Sequence, residues 1–356
     1  MTATLFTPFA SRSITLRNRI LVSPMCQYSS VDGFASDWHL VHLGSRAVGG
    51  AAAVIAEATA VSPEGRISPS DLGIWKDDHI EALSRITRFI TEQGSVPGIQ
   101  LAHAGRKASV AAPWRGGRAL DETDGGWRPL YAPSAQAFSS KTPVPVEMTR
   151  ADIQRIIGDF TRAATRALEA GFRIIELHGA HGYLLHEFLS PLSNLRSDEY
   201  GGSFENRIRF ILETVDAVRG VWPDELPLFV RLSSTDWTEG GWDIEQSTAL
   251  ACVLRGHGVD LVDASSGGNV AGAKIPVGPG YQVSFAEAIK RNASIPTGAV
   301  GLITDPHQAD EIIRSGKADV VILAREMLRD PYWPLRAAGE LGVKVKWPEQ
   351  YQRAEI

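Results

Sequence analysis

Two histidines and a tyrosine follow a short apolar run near the middle of the chain. The run Ile174-Ile175-Glu176-Leu177 leads into His178, His181 and Tyr183, with the spacing His-x-x-His-x-Tyr. A β-branched apolar run is typical of a strand buried on both faces, so we expect the polar side chains in the loop beyond its end. Parallel α/β proteins present their chemistry at this carboxyl edge of the sheet.

Three roles are compatible with His178 and His181. As neutral donors they would stabilise the oxyanion that develops on a carbonyl or nitro group, an effect of about 3 kcal/mol for one donor. Tyr183 would then be a proton source beside the site. The alternatives are a structural role in the core and a metal site, although the sequence lacks the His-Glu-x-x-His motif of zinc enzymes.

Glycines and an arginine near the end of the chain indicate a phosphate site. Gly298 and Gly301 follow one apolar run, and Ala324 and Arg325 follow the next. Glycine backbone N–H groups and a helix N-terminus bind phosphate, and an arginine adds a bidentate contact. The alternative is that the glycines only allow tight turns between strand and helix.

Eight short apolar runs recur along the chain, with helical patterns between them. They cover residues 20–23, 53–56, 98–101, 173–177, 228–232, 260–264, 295–298 and 319–323. Strands that alternate with helices form parallel sheets through right-handed crossovers. Eight such units predict an α/β fold of the (β/α)8 TIM barrel type, in which the residues after every strand share one face.

Sequence signals also place helix ends between these runs. Thr149 and Asp152 form a variant capping box ahead of one helix. Asp305 and Pro306 begin a later helix, which Gly316 is placed to end.

Two segments exceed what a minimal barrel needs. Residues 103–147 are rich in glycine and proline, and we expect them to form an inserted lid after the third strand, on the catalytic face. Residues 339–356 form a C-terminal arm beyond the last helix. Because the sequence contains no interdomain linker, we predict a single domain over residues 1–356.

Composition narrows the classes of function. A net charge of −5 and a pI near 6.0 give no general attraction to nucleic acid or to anionic membranes. The most apolar stretch, residues 47–61, is too short to span a bilayer, and the first residues lack a signal-peptide pattern. Two cysteines are too few for a disulfide scaffold. We therefore expect a cytoplasmic protein that binds neither nucleic acid nor membranes.

Two further features allow more than one interpretation. Cys26 follows the first predicted strand beside Tyr28, where a redox or cofactor-contact role competes with simple packing. His39 and His42 repeat the His-x-x-His spacing on an apolar helical face, and we interpret them as structural.

The motifs at the predicted strand ends resemble those of the old yellow enzyme family of FMN-dependent ene-reductases. The resemblance is closest to its thermophilic-like and xenobiotic-reductase branch, which carries a cysteine after the first strand. The matching segments run in order along nearly the whole chain: Ser-Pro-Met-Cys-Gln-Tyr (23–28), Glu-Ala-Thr-Ala-Val (57–61), Gln-Leu-Ala-His-Ala-Gly-Arg-Lys (100–107), His-Gly-Ala-His-Gly-Tyr (178–183), Ser-Pro-Leu-Ser-Asn (190–194), Asp-Glu-Tyr-Gly-Gly-Ser (198–203), Glu-Asn-Arg (205–207), Thr-Gly-Ala-Val-Gly (297–301) and Arg325.

The resemblance implies that the barrel holds FMN non-covalently. Its phosphate would lie on Gly301, Ala324 and Arg325, and its pyrimidine edge on Gln100 and Arg231. A cation at Arg231 would stabilise negative charge on the reduced flavin. The residues that line the ring system would be Ser23, Pro24, Met25, Cys26 and Ala60, with Cys26 tuning the flavin potential rather than acting as a nucleophile.

The resemblance also implies an activity. NADPH or NADH would reduce the flavin, and hydride would pass from flavin N5 to the β-carbon of an α,β-unsaturated carbonyl or nitro compound. His178 and His181 would bind the substrate oxygen, Tyr28 would assist, and Tyr183 would donate a proton to the α-carbon. Arg353 would reach the active site of a neighbouring subunit, which implies a homodimer or homotetramer.

One residue departs from the family pattern, and one alternative function stays open. Ala324 stands where the family usually has glycine, but the added methyl group leaves the backbone N–H that a phosphate needs. The alternative is a metal-dependent lyase or hydrolase of the same barrel fold, with His178 and His181 as ligands.

Overall fold

Eight parallel strands close into a barrel in the computed structural model, which describes residues 4–355. Residues 1–3 and 356 of the predicted domain lie outside this range. The strands are β1 (Ile20–Val22), β2 (Ala53–Ala60), β3 (Val96–Ala102), β4 (Ile174–Gly179), β5 (Leu228–Ser233), β6 (Leu261–Ser265), β7 (Thr297–Ala299) and β8 (Val320–Leu323). Each strand pairs with the next along the chain, and β8 pairs with β1. The predicted (β/α)8 barrel is confirmed.

Helices surround the barrel and connect its strands. They are α1 (Asp37–Val48), α2 (His79–Glu92), α3 (Arg150–Glu169), α4 (Leu184–Leu189), α5 (Phe204–Arg219), α6 (Ile244–Gly256), α7 (Val283–Ala293), α8 (Pro306–Arg314), α9 (Arg325–Arg329) and α10 (Trp333–Glu340). The predicted capping box begins α3, because the Thr149 N–H group donates to Asp152 at 2.9 Å and the Asp152 N–H group donates to Thr149 Oγ1 at 3.2 Å. Asp305 caps α8 by accepting the N–H group of Gln308 at 2.8 Å.

Side chains alternate along each barrel strand, and this alternation places the polar residues. On β4, Ile175 and Leu177 pack outward against the helices, whereas Ile174 joins an apolar cluster inside the barrel. Because successive side chains point to opposite faces, Glu176 and His178 share the inward direction of Ile174. The end of the barrel interior away from the strand tips is therefore an apolar core, and polar side chains begin in the next layer toward the carboxyl ends of the strands.

Two predicted strand boundaries are wrong by a few residues. Strand β2 continues to Ala60 through a shift of register between Ala56 and Ala58. Residues 57–60, which were predicted to follow the strand, therefore belong to it. Strand β4 continues to Gly179, so His178 lies inside the strand rather than in the loop after it. A lone polar residue between buried neighbours does not end a strand when its side chain faces a polar interior.

The predicted insertion, residues 103–147, lies above the carboxyl ends of the strands. It contains short 3-10 turns and a two-stranded parallel sheet of Tyr131–Ala132 with Val146–Glu147. Trp127 packs against an apolar cluster that Cys26 and Tyr183 also contact. The insertion therefore forms part of the wall around the strand tips.

The C-terminal arm lies at the opposite end of the barrel. Helix α10 extends two residues into the predicted arm, which ends in a 3-10 turn at Glu349–Ala354. Residues 346–350 line a cavity with Arg17 and Gly94, which precede β1 and β3. Arg353 is therefore remote from the strand tips of its own subunit. Within residues 4–355, none of the helices is both long and apolar enough to span a membrane.

Candidate active site

A buried arginine forms the centre of the polar layer inside the barrel. Arg231 on β5 lies in register with His178 on β4 and with Asp263 on β6. Its Nε atom is 3.2 Å from Asp263 Oδ2, and its Nη1 donates to Ser23 Oγ at 3.0 Å. Arg231 is only 6% exposed, so little water screens its charge.

A second carboxyl group lies in the same layer. Glu176 on β4 is fully buried and accepts a hydrogen bond from Gln100 Nε2 at 2.7 Å. Burial, together with repulsion from Asp263, raises the pKa of Glu176 to about 8, although Arg231 opposes the increase. The protonated form of Glu176 therefore predominates at neutral pH. The positive charge of Arg231 is thus not opposed by two full negative charges.

His178 and His181 come together above this layer. Their rings are edge to face with centroids 5.0 Å apart, and His181 Nδ1 lies 3.4 Å from His178 Nε2. His181 Nε2 is 2.7 Å from Ser265 Oγ on β6. Burial lowers the pKa of both imidazoles well below the usual histidine value, and the charge of Arg231 lowers it further. Both rings are therefore neutral at physiological pH.

One atom of this pair has no partner within the described chain. His178 Nδ1 is buried and makes no hydrogen bond with any residue in 4–355. Buried polar atoms are almost always satisfied, and each exception requires an explanation. A ligand oxygen bound beside the two rings would supply the missing partner.

Tyr183 lies against the same histidine. Its ring is edge to face with His178 at 4.9 Å between centroids. Burial raises the pKa of the Tyr183 hydroxyl well above its usual value, so the group holds a proton that it can donate. Lys107, from the start of the insertion, lies over the Tyr183 ring and donates to the carbonyl oxygens of His181 and Gly268, at 2.8 Å each.

The loop after β1 brings Cys26 and Tyr28 to this group. Both side chains pack on the same apolar cluster as Tyr183. Burial and the nearby carboxylates of Glu57 and Asp71 raise the pKa of the Cys26 thiol well above its usual value. A protonated thiol is a poor nucleophile, so a contact role for Cys26 fits better than covalent catalysis.

A cavity of about 160 Å³ opens between β7 and β8 and extends inward to Arg231. Gly301 lines it at a φ of +124°, which a residue with a side chain rarely adopts. Ala324 directly precedes α9, and Arg325 is the first residue of that helix. The neighbouring Arg329 pairs with Glu326, whereas Arg325 has no carboxylate partner within residues 4–355.

These features fit a flavin mononucleotide. Arg325 supplies an unpaired cation for a phosphate at the rim, and the left-handed Gly301 lets the backbone approach closely. The inward end of the same cavity reaches the buried Arg231, which donates to Ser23. A phosphate and a polar ring edge therefore both find complementary groups along one cavity.

The structure gathers most of the residues that the sequence singled out, and it separates one of them, Arg353, from the others. Those at the carboxyl end of the barrel are Ser23, Pro24, Met25, Cys26, Tyr28, Ala60, Gln100, His178, His181, Tyr183, Arg231, Gly301, Ala324 and Arg325. Ala60 already donates its N–H group to Leu72 at 2.9 Å, so this amide is not free for a ligand. Arg353 lies at the opposite end of the barrel, as described above.

Several residues of the site had no role predicted from the sequence. Glu176, Asp263 and Ser265 lie at inward positions of β4 and β6, and Lys107 and Glu57 hold the neighbouring loops. The usable signal was a single charged residue inside an apolar run, as at Glu176 in Ile-Ile-Glu-Leu. Such a residue in a barrel strand points to a polar layer around the axis.

The metal interpretation of His178 and His181 finds no support in the side-chain positions. Across residues 4–355, no three His, Cys, Asp or Glu side chains are grouped so that they could ligate one ion. A catalytic zinc site needs three protein ligands. The donor-pair interpretation agrees better with the unpartnered Nδ1 atom of His178.

Known proteins resemble this chain over nearly its full length. Residues 4–343 match the model of the NADH:flavin oxidoreductase / NADH oxidase family. The NADPH dehydrogenase of Geobacillus thermodenitrificans is 51% identical over 355 residues, which cover 99% of each chain. The NADPH dehydrogenase of Bacillus subtilis is 50% identical over 355 residues, again covering 99% of both.

Solved structures give the same relationship at lower identity. Morphinone reductase superposes with a TM-score of 0.81 at 28% identity, covering 98% of this chain and 92% of that one. An old yellow enzyme homologue from Zymomonas mobilis gives a TM-score of 0.78 at 26% identity, covering 98% and 95%. The chain therefore belongs to the NADH:flavin oxidoreductase / NADH oxidase family and is an FMN-dependent NAD(P)H oxidoreductase of the old yellow enzyme type.

Proposed function

We propose that the enzyme is an ene-reductase that uses NADPH or NADH to reduce α,β-unsaturated carbonyl or nitro compounds. One observation carries the proposal: two neutral, buried imidazoles meet beside a protonated tyrosine, and one imidazole nitrogen has no partner in the described chain. Donors of this kind stabilise negative charge on an oxygen. A proton donor beside them completes the addition of hydrogen across a polarised double bond.

Residues of this chain would hold the flavin along the cavity between β7 and β8. Gly301, Ala324 and Arg325 would bind its phosphate, and Gln100 and Arg231 would bind the polar edge of its ring system. The backbone from Ser23 to Cys26 would line the ring. When bound, FMN supplies the hydride chemistry by accepting hydride from NADPH and returning it to the second substrate.

The remaining residues would act on the substrate. His178 and His181 would bind its carbonyl or nitro oxygen and polarise the double bond, with the unpartnered nitrogen of His178 as the available donor. Tyr28 would assist in orienting the substrate, and Tyr183 would deliver a proton to the α-carbon. The neutral state of the histidines matters, because an imidazolium beside Arg231 would add a second buried positive charge.

The overall proposal is tested by turnover of the purified protein. We expect a yellow protein that NADPH bleaches under anaerobic conditions, and an enone or nitroalkene then restores the colour. A saturated ketone of the same size is the matched control, because it offers the oxygen without the double bond. A bleached protein whose colour no activated alkene restores would contradict the proposed substrate class.

The proton-donor role predicts a selective effect of Tyr183→Phe. We expect reoxidation by an enone to slow by about 10²-fold, in line with the loss of a general acid, while reduction by NADPH changes little. Stopped-flow absorbance at the flavin band measures both steps separately. Equal slowing of the two steps would mean that Tyr183 has a structural role and is not the proton donor.

The phosphate role predicts weaker cofactor binding in Arg325→Met. Loss of one charge-assisted contact, about 1.5–3 kcal/mol, corresponds to about 10- to 100-fold weaker FMN affinity. Fluorescence of the released flavin gives the dissociation constant. Arg329→Met is the matched control, because Arg329 lines the same cavity but already pairs with Glu326. Equal FMN affinities of the two variants would mean that Arg325 does not bind the phosphate.

Three further proposals concern the assembly of subunits, the role of the insertion and the cellular location. Arg353 would enter the active site of a neighbouring subunit in a homodimer or homotetramer, which agrees with its distance from the strand tips of its own chain. Residues 103–147 would act as a lid over the site within a single domain. The expected cytoplasmic location stays a prediction.

A further inference from the structure

Two buried histidine–carboxylate pairs lie next to the active site without belonging to it. His39 Nε2 on α1 is 3.3 Å from Glu57 Oε1 on β2, and both side chains are almost fully buried. His186 Nε2 on α4 is 3.2 Å from Asp236 Oδ1, and both side chains have no exposed surface. A carboxylate buried this deeply is costly unless its surroundings compensate for the lost water, so the presence of two such pairs calls for an explanation.

The two pairs share one construction. His39 Nδ1 accepts the N–H group of Ser36 at 3.0 Å, and His186 Nδ1 accepts the N–H group of Gly182 at 2.9 Å. A nitrogen that accepts an amide proton carries no proton itself, so the Nε2 atom of each ring bears it. Each histidine therefore carries its proton on the nitrogen that lies near a carboxylate oxygen, at 3.3 Å for His39 and 3.2 Å for His186.

The first pair ends on the loop that carries Cys26 and Tyr28. Glu57 uses its second oxygen, Oε2, to accept the N–H group of Gln27 at 2.8 Å. Gln27 is the residue between Cys26 and Tyr28, and Tyr28 has the left-handed φ of +49°. The carboxylate therefore fixes the peptide that sets the direction of both neighbouring side chains.

The second pair ends on the loop that carries His181 and Tyr183. The clamped N–H group belongs to Gly182, which lies between them, and His181 has the left-handed φ of +61°. Asp236 is itself held by Ser190 Oγ at 2.5 Å and by the Trp242 N–H group at 2.9 Å. Asp236 is therefore held in place independently of His186.

We propose that the His39–Glu57 and His186–Asp236 pairs are positioning devices, which hold the two catalytic loops through the amides of Gln27 and Gly182. The inference rests on the proposed function, since it assumes that Cys26 contacts the flavin and that Tyr183 donates the proton. Both loops contain a non-glycine residue in a strained conformation, which persists only when its surroundings impose it. Each pair acts on one loop: the first on the loop of Cys26 and Tyr28, and the second on the loop of the proposed proton donor, Tyr183.

Two substitutions of His186 separate positioning from simple packing. Asparagine places its oxygen near the position of Nδ1 and can still accept the Gly182 amide, whereas glutamine reaches Asp236 and leaves that amide without its acceptor. We expect His186→Gln to slow flavin reoxidation by an enone by about 10- to 100-fold, as a small displacement of a reacting group does. His186→Asn should restore most of that rate.

Three accompanying measurements address the reason for the loss. In His186→Gln the solvent deuterium isotope effect on reoxidation should rise, because proton transfer from a displaced Tyr183 becomes limiting, while reduction by NADPH stays near the wild-type rate. Glu57→Gln should instead change the flavin absorption spectrum and midpoint potential in the same direction as Cys26→Ala. Nitrogen NMR of the holoenzyme should show both His39 and His186 protonated at Nε2.

Asp216→Asn is the control. It removes the exposed pair with His257 and should leave both half-reactions unchanged. Equal rates for His186→Gln and His186→Asn, or Nδ1 protonation of either ring, would overturn the proposal. If Tyr183→Phe has no effect on reoxidation, the proposed function fails. If Tyr183→Phe slows reoxidation and His186→Gln does not, only the positioning inference fails.

Discussion

Replacing Arg231 by methionine is expected to lower the free energy of unfolding by about 3–5 kcal/mol at pH 9, the usual loss when one partner of a buried charge pair is removed. Asp263 lies 3.2 Å from Arg231 Nε and has no exposed surface. Glu176 is buried in the same layer. Without the guanidinium, neither carboxylate has a cation in the barrel, so both must stay protonated in the folded state.

The sign of the pH dependence follows from that requirement. Burial raises the pKa of Asp263 while Arg231 lowers it, and the pKa of Glu176 is about 8 even with Arg231 present. A carboxyl group with a higher pKa in the folded protein loses its proton on unfolding, so rising pH favours the unfolded chain. Removal of Arg231 raises both pKa values further. The contribution of Glu176 is therefore small at pH 5 and grows as the pH rises through about 8, and the contribution of Asp263 also grows with pH.

Urea unfolding at pH 5, 7 and 9 measures this effect. Arg329→Met, at an exposed arginine, is the control for loss of a guanidinium. Adding Asp263→Asn to Arg231→Met should recover part of the stability at pH 9, because it removes one of the two buried acids. A loss of stability that is equal at all three pH values would show that packing of the long side chain, and not its charge, explains the effect.

The periodicity of the chain explains why the barrel could be predicted. Eight apolar runs separated by helical patterns leave few arrangements, because parallel strands need right-handed crossovers. Gly301 and Arg325 could also be located, since the helix that follows the last strand marks the phosphate position. His178 and Tyr183 were identified because polar residues interrupt an otherwise apolar segment.

The contacts between distant segments could not be predicted in the same way. His181 reaches Ser265, which is 84 residues away, and Gln27 is held by Glu57 from another strand. Nothing in the local pattern distinguishes a buried glutamate that clamps a loop from one that terminates a strand. His39 shows the limit clearly: its apolar helical face predicted a structural role, and its contact with Glu57 connects it to the loop of Cys26.

The second large effect concerns the imidazole pair itself. We expect His178→Ala to slow flavin reoxidation by an enone by about 10²- to 10³-fold, the usual result of removing one donor to a developing oxyanion. The Nδ1 atom of His178 is buried and unpartnered within residues 4–355, so its hydrogen bond is available to a ligand. Reduction by NADPH should change less, because no negative charge develops on a substrate oxygen in that step.

The pH dependence of flavin reoxidation in the wild type and in His178→Ala distinguishes a neutral imidazole donor from an imidazolium. Because burial and Arg231 lower the pKa of His178 and His181 well below the usual value, neither ring gains a proton between pH 6 and pH 9. We therefore expect the ratio of wild-type to His178→Ala rates to be constant over that range. His307→Ala, at an exposed position on α8, is the control for loss of an imidazole. A ratio that rises steeply below pH 7 would mean that a protonated histidine is the true donor, and the electrostatic role of Arg231 would then have to be revised.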